Sequence, residues 1–203
     1  MITWCVKLVK IIFIFAVLIK YFILLCGSLY CIYTWIQITA LLKTLFIIRH
    51  AKSDQSFFGN DFERPLNERG QTDAPVMAKR LLDKNIKIDA LVSSPAVRAK
   101  KTAMLFAENL NLPAEDIIFI SALYQAPAGV FYEEIAGLPD IFESVAVFSH
   151  NPGITYFVNN LETGIEVNNM PTCAIFAVSA NITHWSGFAK AVKSFLFYDY
   201  PKK

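Results

Sequence analysis

From Leu45 onward, short apolar runs alternate with stretches whose apolar residues recur at helical spacing. Leu45–Arg49 is a continuous β-branched and aromatic run, the pattern of a strand covered on both faces. A polar loop, Ala51 to Glu68, follows. Thr72 to Asp83 then places Val76, Met77, Ala78, Leu81 and Leu82 near one helical face. Ile88–Ser93 predicts a second strand, and Pro95 to Leu110 a helix whose proline suits the first turn. Ile117–Ser121, Ser144–Ser149, Cys173–Ser179 and Val192–Tyr198 read as further strands, with helices at Gly129–Gly137 and Ile154–Leu161. Alternating strands and helices predict a three-layer α/β/α sandwich with a mostly parallel sheet. Asn159 to Pro171 is a polar connection.

Residues 1–43 are different in kind. Tyr21 to Leu42 carry no charge and as a helix would span roughly 33 Å, enough for a hydrocarbon core. Lys7, Lys10 and Lys20 precede the run and Lys43 follows it. The charge bias would place the N-terminus in the cytoplasm and so the body outside. Ile11–Ile19 could serve as the core of a signal peptide, but no small-x-small site follows it. Only Lys43 and Thr44 separate the apolar run from the first strand, an awkward junction for a domain hung on a membrane helix. Two readings stay open: an apolar N-terminal helix at about 21–42 acting as a single-pass anchor, or a leader never made because synthesis starts near Leu42. The body, residues 44–203, is expected to be one cytoplasmic domain, membrane-associated only if the leader is translated.

Of 19 Lys and Arg and 17 Asp and Glu, residues 1–44 hold the four lysines already named and no acid. The body thus has 15 basic and 17 acidic residues, a net charge of −2. A nucleic-acid surface needs clustered positive charge, which the body lacks. Of four cysteines, only Cys173 lies in the body, so neither a disulfide framework nor a Cys/His zinc site is expected.

The chemistry gathers at strand ends. Arg49-His50 closes the first strand and Ser149-His150-Asn151-Pro152-Gly153 closes another. In open α/β sheets, ligands bind beyond the carboxyl ends of the strands. Both imidazoles should therefore face one crevice. Arg98, about one turn into the helix after Ser93-Ser94-Pro95, can point back toward it. Guanidinium groups beside an imidazole disfavour its protonation and offer forked donors to phosphate. A neutral histidine among arginines suits nucleophilic attack on phosphorus.

Arg49-His50-Ala51-Lys52-Ser53, Arg64-Pro65-Leu66-Asn67-Glu68-Arg69-Gly70, Ser94-Pro95-Ala96-Val97-Arg98 and the His150 motif together resemble the histidine phosphatase superfamily, and within it the SixA-type phosphohistidine phosphatase branch. The resemblance runs from about Leu42 nearly to the C-terminus and implies a phosphoglycerate mutase-like fold. It implies that His50 takes the phosphoryl group, that Arg49, Arg98 and His150 form the pocket, and that neither metal nor organic cofactor is needed. Arg64 matches a loop arginine of the branch that binds substrate or shapes the pocket, though it could equally pair with Asp61 or Glu68. Lys52, Ser53 and Asn151 are further substrate-binding candidates.

Ala51 stands where the wider superfamily usually has glycine. Where many relatives carry a general acid after the second strand, this chain has Leu123-Tyr124-Gln125-Ala126, and Glu133 and Glu134 fall within the following helix. A phosphoramidate nitrogen can leave already protonated, so the missing acid favours a phosphohistidine-like substrate over an ester. The expected substrate is a phosphorylated protein or small phosphorylated molecule. An orientation putting the body outside would separate it from cytosolic phosphate chemistry, which counts against a span. The alternatives are a small-molecule phosphomonoesterase on the same fold, or a phosphate-binding module whose catalysis has lapsed.

Overall fold

The computed structural model describes residues 42–202. The apolar leader and the question of the start therefore lie outside the described residues, save Leu42. Among the described residues, no helix is long and apolar enough to cross a membrane.

Six strands form one sheet: β1 (Leu42–Arg49), β2 (Ala90–Ser93), β3 (Ile118–Phe119), β4 (Ser144–Ser149), β5 (Ile175–Asn181) and β6 (Lys193–Asp199). Their spatial order is β3-β2-β4-β1-β5-β6. Strands β1 to β4 and β6 run in one direction, and β5 runs against them. The helices are α1 (Glu68–Asp83), α2 (Val97–Leu110), α3 (Ala128–Ala136) and α4 (Gly153–Asn159).

Period-two alternation in β1 sorts the core into two halves. Leu45 and Ile47 join Val145, Val147, Phe176 and Val178 on the face covered by α3 and α4. Phe46 and Ile48 join Ala146, Phe148, Ile175 and Ala177 beneath α1 and α2, against Met77, Leu81 and Phe106. The expected three-layer sandwich is the observed one.

Most element boundaries shift by one to four residues from the sequence reading, and three shifts have a clear physical cause. β1 starts at Leu42, because Leu42–Thr44 pair with Ser179–Asn181. Lys43, read as the charge closing an apolar run, is a buried strand residue. Its ammonium donates to the carbonyls of Asp140 (2.6 Å) and Phe142 (2.9 Å). Helix α1 begins at Glu68, four residues earlier than its apolar periodicity, because the Asn67 side chain accepts from the Gly70 amide at 2.9 Å and caps it. A β-carbon on Gly70 would lie 2.1 Å from the Lys52 carbonyl oxygen, so glycine lets α1 sit against the loop after β1. Strand β5 starts at Ile175 because Cys173 has φ of +61° and leaves the ladder. Its amide instead contacts the carbonyls of Arg49 and His50, both at 3.1 Å, anchoring the end of β1.

Candidate active site

The order β2-β4-β1 brings three strand ends side by side. The His50 amide donates to the Ser149 carbonyl, and the Ser94 amide to the Phe148 carbonyl, both at 3.0 Å. Arg49 and His50, Ser93 and Ser94, and Ser149 and His150 thus emerge along one edge of the sheet. The His50 and His150 ring centroids lie 5.1 Å apart.

His50 is 5% exposed. Its Nδ1 lies 2.7 Å from the Ala51 carbonyl oxygen, which can only accept, so Nδ1 carries the proton. Nε2 therefore holds the lone pair, and Arg98 Nε donates to it at 3.3 Å. Burial first, then the neighbouring His150 and the Arg98 and Arg49 charges, push the imidazole well below its ordinary pKa, against a smaller raising effect from the Ala51 bond. The ring is neutral and oriented. Thr102 on α2, absent from the sequence reading, holds this arrangement in place. Its buried hydroxyl accepts from the Ala51 amide at 3.0 Å and donates to the Arg98 carbonyl at 2.6 Å.

His150 Nε2 lies 2.8 Å from Ser94 Oγ, which itself accepts from the Ala96 amide at 3.3 Å. The pairing that satisfies both has the serine hydroxyl donating to Nε2. The proton then sits on Nδ1, a buried atom without a partner. Burial, aided by the Arg98, Arg49 and Arg64 charges and partly opposed by Asp61, pushes His150 down to about 3. Arg49 Nη1 donates to the Met170 carbonyl at 2.6 Å, leaving its buried Nε unpartnered. Arg64 Nε is likewise buried and unpartnered. A buried donor without an acceptor costs about 1–3 kcal/mol. Unpartnered donors on Arg49, Arg64 and His150, with Arg98 on the His50 lone pair, suit a site that takes an oxyanion.

Arg64 Nη2 pairs with Asp61 at 2.8 Å, as one sequence reading allowed. Asp61, not otherwise singled out, also binds Arg98. Tyr124 closes the group, its hydroxyl donating to Asp61 Oδ2 at 2.9 Å and its ring standing edge-on to His150. Tyr124 lies in the segment searched for a general acid, and that location was the available signal. The weaker candidates serve local structure. Ser53 bridges to Leu66 and accepts from Gln55, and the Asn151 side chain contacts Asn169, the Met170 carbonyl and Thr155. Lys52 contributes its carbonyl, which accepts from the Asn67 amide at 3.0 Å.

Two uncharged imidazoles ringed by arginine donors at the carboxyl edge of a parallel sheet define a class of protein that handles phosphoryl groups. Residues 45–118 match the histidine phosphatase superfamily (branch 1). The phosphohistidine phosphatase SixA of Escherichia coli (strain K12) is 30% identical over 146 residues, covering 66% of this chain and 84% of that protein. A 2,3-bisphosphoglycerate-dependent phosphoglycerate mutase of Bartonella bacilliformis is 30% identical over 99 residues, covering 47% of this chain and 46% of its own length. The solved protein histidine phosphatase SixA complexed with tungstate superposes with a TM-score of 0.68 at 25% identity, covering 78% of this chain and 97% of that one. The chain belongs to the histidine phosphatase superfamily, and it is a hydrolase of that superfamily.

Proposed function

We propose that the protein hydrolyses phosphohistidine, or a related phosphoramidate on a protein, through a phosphoryl group carried on His50. One observation carries this reading: the Nδ1–H bond to Ala51 turns the Nε2 lone pair of a buried, neutral ring toward Arg98. Nε2 attacks phosphorus in line and the P–N bond of the substrate breaks; the substrate imidazole, protonated on its other ring nitrogen, takes the electron pair and departs as a neutral ring. The Ala51 carbonyl steadies the positive charge that develops on His50. Arg49, Arg98 and Arg64 supply donors to the non-bridging oxygens, and His150 offers its Nδ1–H. Water then attacks phosphorus, the P–Nε2 bond breaks, and phosphate leaves His50 neutral again. Lys52, Ser53 and Asn151 support the walls of this pocket through their loop contacts. The similarity to a protein histidine phosphatase favours a phosphorylated protein as substrate.

Rapid quenching with a 32P-labelled phosphohistidine protein tests the reading. It should give an acid-labile label that maps to His50 and vanishes in His50→Ala. A variant with undiminished turnover would remove His50 as nucleophile. Strong turnover of sugar phosphates with none of phosphohistidine or phosphoramidate would replace the substrate assignment by a phosphomonoesterase.

A further inference from the structure

Asp61 occupies the donors that a phosphoryl group would need. Its Oδ2 accepts from Arg98 Nη2 and from Tyr124 Oη, both at 2.9 Å, and its Oδ1 accepts from Arg64 Nη2 at 2.8 Å. Its backbone carbonyl takes Arg98 Nη1 at 2.6 Å. With Nε on His50, every nitrogen of the Arg98 guanidinium is engaged. Arg98, Tyr124 and, three residues along the same segment, Arg64 thus direct three donors at two carboxylate oxygens, an arrangement suited to a tetrahedral oxyanion. Partial burial pushes the Asp61 carboxyl up, but the Tyr124 hydrogen bond and the Arg98 and Arg64 charges outweigh it and hold the group below its usual range. It is ionised at neutral pH, and a phosphoryl dianion cannot share Arg98 with it.

The segment bearing Asp61 is a strap with pinned feet that also carries Arg64, so only the Asp61 side chain need yield its donors. The Ser53–Leu66 bridge and the Asp54 amide bond to the Pro65 carbonyl (2.9 Å) pin its two feet together. Asn60 caps the 3-10 turn Asp61–Glu63, keeping Asp61 in a fixed local frame. Phe62 packs edge-on against Tyr124, and the tip residue Phe58 is fully exposed. Asp61, Phe62 and Arg64 are the strap residues that reach the site.

We propose that Asp61 is a specificity-determining residue, an internal competitor whose carboxylate holds the Arg98, Arg64 and Tyr124 donors until a phosphoryl group displaces it. The proposal rests on the phosphatase reading of the pocket. A carboxylate tethered by a short strap competes at an effective concentration of millimolar or more. Inorganic phosphate and small phosphate compounds, with only their oxygens to offer, bind weakly against it. A phosphorylated side chain on a folded protein makes further contacts beyond the pocket, and these offset the displacement. The strap thereby selects protein-borne phosphoryl groups and speeds release of the phosphate product.

Titration of the full chain with inorganic phosphate, alongside turnover of phosphoramidate, tests this. Asp61→Asn keeps the shape and removes the charge, and Asp61→Ala is a second variant at this half-exposed position. Both should tighten inorganic phosphate about tenfold and lower KM for phosphoramidate by a similar factor. Unchanged or weaker phosphate binding in both variants overturns the proposal. A kcat loss confined to alkyl phosphates, with aryl phosphates spared, also overturns it, since Asp61 would then be a proton donor. Arg98→Ala separates the two levels. If it binds phosphate as tightly as the parent, the pocket assignment itself fails; if it loses phosphate while Asp61→Asn matches the parent, only the competitor role fails.

Discussion

Thr102 holds, through its buried hydroxyl, the residue whose carbonyl orients the proposed nucleophile His50, and replacing it with valine exposes how the site is held. The Ala51 amide donates to Thr102 Oγ1 at 3.0 Å, and the Ala51 carbonyl accepts from His50 Nδ1 at 2.7 Å. Ala51 and Thr102 are both fully buried, so in Thr102→Val neither water nor another group replaces the lost acceptor. The Arg98 carbonyl keeps its ordinary helical partner, so the cost falls on the Ala51 amide. An unsatisfied buried donor costs about 1–3 kcal/mol. For a domain of this size that corresponds to a Tm lowered by roughly 4–8 °C at the central figure of about 2 kcal/mol. The peptide joining His50 to Ala51, next to the one whose carbonyl orients the imidazole, also loses its anchor. A misplacement near 1 Å can cost about a hundredfold, so we expect a partial shift to lower kcat about tenfold with KM little changed.

Thr102→Ser is the decisive companion. It retains both hydrogen bonds and loses one methyl, about 0.8 kcal/mol of burial. Urea unfolding and steady-state turnover of phosphoramidate should show both variants destabilised but only the valine slow. Equal kcat losses in the two, or a valine variant with parental kcat and Tm, would refute the claim that this hydroxyl orients the nucleophile.

Two further outcomes follow from the packing and the charges. In Gly153→Ala the new β-carbon would lie 1.7 Å from the Ala126 carbonyl oxygen, forcing apart the His150 turn and the Tyr124 segment. We expect a loss of about 1–3 kcal/mol or more by thermal melting, and an unshifted Tm would contradict the close approach. His50 and His150 both refuse protons in the folded state. Below a pH of about 6.5 the unfolded chain takes up protons at these positions and the folded chain does not, so stability falls as pH drops from there toward 3. The slope is about 1.4 kcal/mol per pH unit for each imidazole. His150→Gln should flatten urea-derived stability between pH 6.5 and 4.5, and an unaltered slope would show that His150 is not buried neutral.

The elements were legible because their causes are local. The alternation of Leu45, Phe46, Ile47 and Ile48 reports a strand covered on both faces whatever lies beyond it, and the periodicity of Met77, Ala78 and Leu81 reports a helix. Boundaries were less legible where a non-local partner or a cap shifts them. Lys43 reads as a surface charge until the carbonyls of Asp140 and Phe142, nearly a hundred residues away, are seen to take it in. Asn67 starts α1 ahead of its apolar face.

Residue pattern alone was enough to place His50, His150 and Arg98 at strand or helix ends, since strand-to-turn chemistry is written within a few positions. Their convergence required the order β2-β4-β1, which a linear pattern does not contain. Asp61, Tyr124 and Thr102 became site residues only through tertiary contact. Each is an ordinary loop or helix residue in sequence, and each acquires its role from hydrogen bonds to segments 37 to 63 residues away. Hydrophobic periodicity acts over a turn or a pleat, whereas the partner of a buried polar atom is chosen by how the finished layers meet.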